Sequence, residues 1–161
     1  MEIDNRSLKT KKLTTSSIVI ALYVVIMFLT QSFSFGAVQI RIATTLYALA
    51  YLCPFLVLPL GLSNVISNIL LGGLGIFDIL GGGLVGVITS ILICLIRKFK
   101  LNICFVAIPI ILIPGILVPI WLSQILIVPY KVLAISLCLG QVVPAILGVI
   151  LIKIFKGKIG E

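Results

Sequence analysis

Polar side chains along this chain are few and grouped, and long apolar runs separate the groups. Residues 1–12, MEIDNRSLKTKK, are polar and basic. An apolar run follows from Leu13 to about Phe33 and turns at Ser34, Phe35 and Gly36. A second, short run covers about Gln39 to Leu52 and breaks at Cys53-Pro54, since the residue before a proline disfavours the helical region. A third covers about Phe55 to Leu71 and ends in Gly72, Gly73 and Gly75. A fourth starts near Phe77 and stops at Arg97-Lys98-Phe99-Lys100. A fifth runs from about Ile103 to Leu122 and is bent by Pro109, Pro114 and Pro119. A loop around Ile127 to Tyr130 leads to a sixth, which ends near Ile152 before Lys153, Lys156 and Lys158. The runs are continuous and do not alternate in-out, so each predicts a helix and not a barrel strand. A hydrocarbon core of about 30 Å needs about 20 residues per crossing. The expected fold is therefore an all-α integral membrane protein, one six-transmembrane-helix bundle over residues 1–161, with tails at 1–12 and 153–161.

Composition narrows the class. The chain has 161 residues, 61% hydrophobic and 10% charged, against about 25% charged in a soluble domain. Its mean hydropathy is +1.39. Six spans leave no room for a separate soluble catalytic domain. The net charge of +8 comes from Lys and Arg beside the spans and forms no isolated basic patch, so it reads as topology and not as nucleic-acid binding. Arg6, Lys9, Lys11 and Lys12, then Arg97, Lys98 and Lys100, then the three C-terminal lysines all fall on one side of a six-span chain. That side is expected to be cytoplasmic, with both termini there. Arg41 and Lys131 are left outside. The first run continues to about Leu29 with no small-residue cleavage site, as in an uncleaved first helix and not a signal peptide. Cys53, Cys94, Cys104 and Cys138 lie in separate apolar segments without a CxxC pair and read as small buried hydrophobes.

The stretch from Val38 to Asp78 is the anomaly. It carries Arg41 at one end and Asp78 at the other, is broken by Pro54, Pro59 and Gly61, and is dotted with Thr, Asn and Ser. On the expected topology Arg41, Asn68, Asp78 and Lys131 gather at the outer rim. Polar groups in lipid face a cavity or one another, and irregular backbone at membrane depth is tolerated within protein or around a cavity. A ligand cavity open to the outside explains the cluster; snorkelling of Arg41 and Lys131 to the headgroups is the plainer alternative. Asn64 and Asn68 are one turn apart and share a face. Tyr130 and Trp121 suit stacking on a ring or anchoring at the interface.

Several chemistries are missing. The chain has no histidine, which removes Ser-His dyads, HExxH zinc sites and histidine proton relays. An intramembrane aspartyl pair needs two carboxylates where the membrane body has Asp78 alone. The glycine cluster GGLGIFDILGGG lacks GKS or GKT, so it is no P-loop. Gly82 and Gly86, four apart, instead suit close helix packing. The expectation is a non-enzyme with no cofactor and no metal. Ser17 and Ala21 form another small-xxx-small pair, on the first helix, either for packing inside the bundle or for docking a partner membrane subunit.

From Gln39 to Thr89 the residues resemble the queuosine-precursor transporter family, QueT, a group of substrate-binding S-components of energy-coupling factor (ECF) transporters. The matching features are QIR at Gln39–Arg41, Gly61-Leu62, Asn68, and G-x-x-D at Gly75–Asp78 followed by Gly81. Weaker matches are Pro129-Tyr130, LGQ at Leu139–Gln141 and Leu147-Gly148. Ser17-xxx-Ala21 resembles the A-x-x-x-A motif of S-component helix one. The resemblance implies a six-helix binder without its own ATPase. It would dock through helix one, at Ser17 and Ala21, on a transmembrane coupling subunit driven by two ABC ATPases, and take a vitamin-like small molecule or queuosine precursor near the outer face of the cell membrane. The expected solute residues are Arg41, Thr44, Asn68, Asp78, Gln124 and Gln141, with Arg41 and Asp78 either meeting the ligand or bracing each other. The departures are chemical: Thr44 and Gln141 stand where the family pattern has glutamates, and Pro114 where it has an asparagine. The ligand would then be read mostly by uncharged groups around Asp78. A stand-alone membrane scaffold or channel subunit, or a secondary transporter, is the competing class; the latter would need a coupling-ion site and an inverted repeat.

Overall fold

The computed structural model of the chain describes residues 2–34, 39–71 and 74–159. Helix α1 spans Glu2–Leu29 and is followed by the short α2, Gln31–Ser34. A 3-10 stretch, Ile42–Ala48, runs into α3, Leu49–Leu52; a second, Pro54–Leu56, runs into α4, Val57–Leu70. Helix α5 is Ile76–Lys98. A third 3-10 turn, Ile103–Val106, opens α6, Ala107–Leu126; α7, Tyr130–Gly140, and α8, Val142–Ile159, complete the chain. No strand occurs among the described residues. The protein is an all-helical membrane protein. Four helical segments are long and apolar enough to cross a bilayer: Arg6–Leu29, Ile76–Lys98, Ile103–Leu126 and Tyr130–Gly157. The segments Ile42–Leu52 and Pro54–Leu70 are shorter.

Three features depart from the sequence pattern. The polar N-terminal tail is helical and continuous with the first apolar run. Its hydroxyls bond back one turn, Thr10 Oγ1 to the Arg6 carbonyl at 2.9 Å and Thr14 Oγ1 to the Thr10 carbonyl at 3.0 Å, so polar side chains are accommodated without ending the helix. The second run is largely 3-10, with a seven-residue stretch where runs beyond three or four residues are uncommon. The last run is split at Gln141, because Pro144 has no N–H for the carbonyl of Gly140, one turn back. The expected turn at Phe35-Gly36 and the glycines Gly72 and Gly73 lie outside the described residues.

Large aliphatic side chains cover the outside, as lipid-facing helices require; Leu13, Leu29, Leu58, Ile76, Leu80 and Leu139 are among the most exposed. Two apolar clusters fill the inside. One joins Val19, Tyr23 and Met27 of α1 to Tyr47, Leu56, Leu60, Ile93, Ile110 and Ile152. The other joins Val85, Val118, Leu122, Leu133 and Leu137. Helices α4 and α5 meet backbone to backbone: a Cβ on Gly86 would lie 3.1 Å from the Gly61 Cα and 3.1 Å from the Tyr47 hydroxyl. Helix α1 is the most peripheral long helix, with 17% of its apolar window buried against 39% in the other three. The cysteines are all free; Cys104 is exposed, contrary to its expected burial, and the other three are half-buried.

Candidate functional site

Where the two apolar clusters meet, polar side chains converge. A small cavity there is lined by Gln39, Arg41, Thr44, Tyr47, Asn64 and Gln141 on its polar side. Gly82, Val85, Pro114, Val118 and Leu137 complete its wall. Its volume is about 10 Å³, room for one water molecule. The interrupted segments supply Arg41 and Thr44, from the edge of the 3-10 stretch, and Gln141, from the break between α7 and α8. The regular helix α4 adds Asn64, and α5, α6 and α7 supply the apolar wall.

Arg41 is 5% exposed and lies across α4. Its Nη1 donates to Asn64 Oδ1 at 3.2 Å and its Nη2 to Asn68 Oδ1 at 2.9 Å. The one-turn spacing of the two asparagines matches the fork of the guanidinium. Each amide then passes the bond on. Asn64 Nδ2 donates to the Tyr47 hydroxyl at 2.7 Å, and Tyr47 meets the Tyr23 hydroxyl of α1 at 3.2 Å, the rings stacked 5.9 Å apart. Asn68 Nδ2 donates to the main-chain carbonyl of Asp78 at 2.9 Å. Removing a guanidinium from water costs several kcal/mol, and hydrogen bonds to a charged group return roughly 1.5–3 kcal/mol each. The two asparagines therefore offset part of the cost of burying Arg41.

Asp78 sits in the first turn of α5, where the helix dipole favours an anion. Its Oδ2 accepts from the Leu74 N–H at 3.3 Å and its Oδ1 from Trp121 Nε1 at 3.2 Å. Gly75, with φ 101°, permits the turn that brings Leu74 back over the helix start. Asn68 joins the Arg41 guanidinium to the main-chain carbonyl of Asp78. The Trp121 bond ties α6 to α5 one turn beyond the cavity residues Val118 and Gly82. Trp121 packs its ring on Gly81, where a Cβ would come within 2.8 Å.

Thr44 Oγ1 lies 2.6 Å from the Arg41 carbonyl and 2.7 Å from Gln141 Oε1. A hydroxyl has one proton and cannot donate to both. Gln141 is fully buried, and its Nε2 has no partner among the described residues. Amide orientation is assigned from such networks. Reversed, Gln141 donates from Nε2 to Thr44, Thr44 donates to the Arg41 carbonyl, and Gln141 Oε1 becomes an unmet acceptor at the cavity.

The sequence-predicted residues thus divide. Arg41, Thr44 and Gln141 line the cavity, and Asn68 and Asp78 hold its frame. Gln124 is exposed on α6 and lines no part of it. Ser17 and Ala21 are exposed on α1, on the side away from buried Val19, Tyr23 and Met27. Sequence reasoning missed Gln39, Tyr47 and Gly82. A signal for Tyr47 existed, since it lies one turn beyond Thr44. Among the described residues no group of three or more His, Cys, Asp or Glu could hold a metal ion.

No curated relative and no solved structure matches the chain. The family model of the QueT transporter matches residues 13–157, which includes every residue of the cavity and of its frame. The chain is a multi-pass membrane protein and belongs to the QueT transporter family.

Proposed function

We propose that this protein is the substrate-binding S-component of an ECF-type importer. It captures a small polar solute, a deazaguanine-like queuosine precursor or a vitamin-like ring, at the outer face of the cell membrane. The observation that carries this reading is the buried cavity at which one end of the Gln141 amide has no partner among the described residues, built where two membrane helices are interrupted. A few fixed polar groups in an apolar enclosure set the orientation of a ring whose burial supplies most of the affinity. Arg41, Thr44 and Gln141 would contact the solute, with Asn68 and Asp78 fixing Arg41 and the start of α5. Gln124 would meet the solute on its approach. The cavity volume is far below that of a bicyclic ring, so binding would need the surrounding helices to part, and the Asp78–Trp121 bond between α5 and α6 would be the latch.

The single domain would cross the membrane six times, counting the short segments Ile42–Leu52 and Pro54–Leu70, with both termini cytoplasmic. Basic residues support that orientation: on a six-span path all but Arg41 and Lys131 would fall on one side. The family is one of transporters, and the glycine cluster carries no GKS or GKT phosphate-binding motif, so we assign transport and leave ATP hydrolysis to partner subunits. Two ABC ATPases and a transmembrane coupling subunit would drive uptake, the latter docking on the Ser17–Ala21 face of α1, which is small-sided and uncovered.

The test is reconstitution. The purified chain alone should bind the solute but not accumulate it in liposomes, and uptake should require the coupling subunit, the ATPases and ATP. Uptake driven by an ion gradient in liposomes holding this chain alone would overturn the reading.

A further inference from the structure

A second recess lies at the opposite end of α5 from Asp78. Its volume is about 530 Å³, and Tyr51, Arg97, Lys100, Asn102 and Lys156 line it together with Leu101 and Ile103. Among the described residues no ion pair is made by any of these cations, and the chain has only four acidic residues, Glu2, Asp4, Asp78 and Glu161. Three cations share one recess with no described carboxylate beside them.

Two features separate this recess from a solvated basic surface. Lys100 has φ 53°. It occupies the left-handed position that ends α5, with Leu101 N–H bonded to the Ile96 carbonyl and Lys100 N–H to the Arg97 carbonyl, both at 3.0 Å. Glycine is the usual residue there because it meets no steric penalty; here the position carries an ammonium. Tyr51 is 7% exposed, and its hydroxyl has no hydrogen-bond partner among the described residues. Arg97 is already anchored, with Nη1 donating to the Tyr51 and Leu52 carbonyls at 2.9 and 2.6 Å. Those bonds use Nη1 alone.

At Leu101 the recess adjoins an apolar groove of about 400 Å³ between α5 and α6. Leu92, Leu95 and Phe99 form one wall and Phe105, Ile108 and Leu112 the other. From Phe99 back to Leu92 the groove follows about 10 Å of helix toward the middle of the span. A cationic recess at the membrane surface that continues into an apolar channel has the form of an amphiphile. Guanidinium and ammonium groups recognise phosphate oxygens, and basic pockets on the cytoplasmic side hold anionic headgroups.

We propose that recess and groove together bind one anionic phospholipid, its phosphate among Arg97, Lys100, Lys156, Asn102 and Tyr51 and one acyl chain in the groove beyond Leu101. This site is separate from the solute cavity and does not depend on the solute reading.

The experiment uses the full chain in neutral detergent, with melting temperature and native mass spectrometry as readouts. Phosphatidylglycerol should raise the melting temperature at least twice as far as phosphatidylcholine and stay bound as one molecule per chain. The double variant Lys100→Gly/Lys156→Gln should lose that preference, with at least a tenfold drop in the lipid-bound fraction. Its melting temperature in detergent alone should not fall, because glycine relieves the left-handed position. Lys131→Gln, away from the recess, should retain the preference. Equal shifts from both lipids, full retention in the double variant, or equal loss in Lys131→Gln would each overturn the proposal. Reproduction of the shift by inorganic phosphate would overturn the lipid as the source and leave a free anion.

Discussion

Asn68 joins Arg41 to Asp78, accepting from the guanidinium at 2.9 Å and donating to the aspartate carbonyl at 2.9 Å. These are the two buried charges among the described residues, and one neutral amide links the guanidinium of the first to the main chain of the second. Asn68→Leu keeps the branched outline of the side chain but can neither accept nor donate. It leaves a buried cation short of a partner, so we expect a loss of about 2–4 kcal/mol. Thermal or denaturant unfolding in detergent checks this, and a loss below about 1 kcal/mol would show that Asn64 alone suffices.

The tyrosine pair gives an asymmetric prediction. Tyr47 bonds both Asn64 and Tyr23, whereas the only described partner of the Tyr23 hydroxyl is Tyr47. Tyr47→Phe strands the buried Asn64 amide and should cost about 1–3 kcal/mol; Tyr23→Phe should cost about 1 kcal/mol or less. Equal effects in an unfolding series would mean that Asn64 finds another acceptor.

Glycine packing can be tested at Gly82. A Cβ there would lie 2.7 Å from Asn68 Nδ2 and 2.9 Å from Asn64 Oδ1. Gly82→Ala should displace both amides and destabilise by about 1–3 kcal/mol, as overpacking does. Gly157→Ala, with nothing within 4 Å, should be neutral or stabilise by up to about 1 kcal/mol. The difference between the two melting temperatures is the measurement.

How much of this was legible in the sequence varies by residue. The apolar runs gave the helices, because a crossing needs an uninterrupted apolar length. Arg41, Asn64, Asn68 and Asp78 stood out because polar groups in such runs must find partners. The Asn64–Asn68 spacing implied one face, and Arg41 spans it. Tyr47 was hidden because tyrosine is common in apolar segments, and its role depends on a hydroxyl whose partners lie on other helices. Gln124 and Gln141 looked alike in sequence. The split at Pro144 turns one inward, whereas Gln124, near the end of a regular helix, stays outside. The helical tail was missed because polar composition resembles a loop when back-bonded hydroxyls are not considered.

The outward face of α1 predicts a separation of functions. Ala21 is exposed, and the core-facing residues Val19 and Tyr23 flank it. Ala21→Phe should leave the melting temperature and solute binding unchanged and reduce co-purification of the coupling subunit at least tenfold. Unimpaired co-purification would remove α1 as the docking face.

The Asp78–Trp121 bond predicts kinetics. Trp121→Phe keeps a ring against Gly81 but removes the N–H that reaches the carboxylate. Solute association and dissociation, followed by stopped-flow fluorescence of a labelled ligand, should both accelerate severalfold. Unchanged rates would show that the bond does not close the cavity.

The account rests on the cavity beside Gln141, and equilibrium binding of a queuosine-precursor base to purified wild type and Gln141→Leu tests it most directly. Calorimetry in detergent should give saturable one-to-one binding to wild type. The variant should bind at least tenfold more weakly at an unchanged melting temperature. Equal affinity in the two proteins, or no binding to wild type, would contradict it.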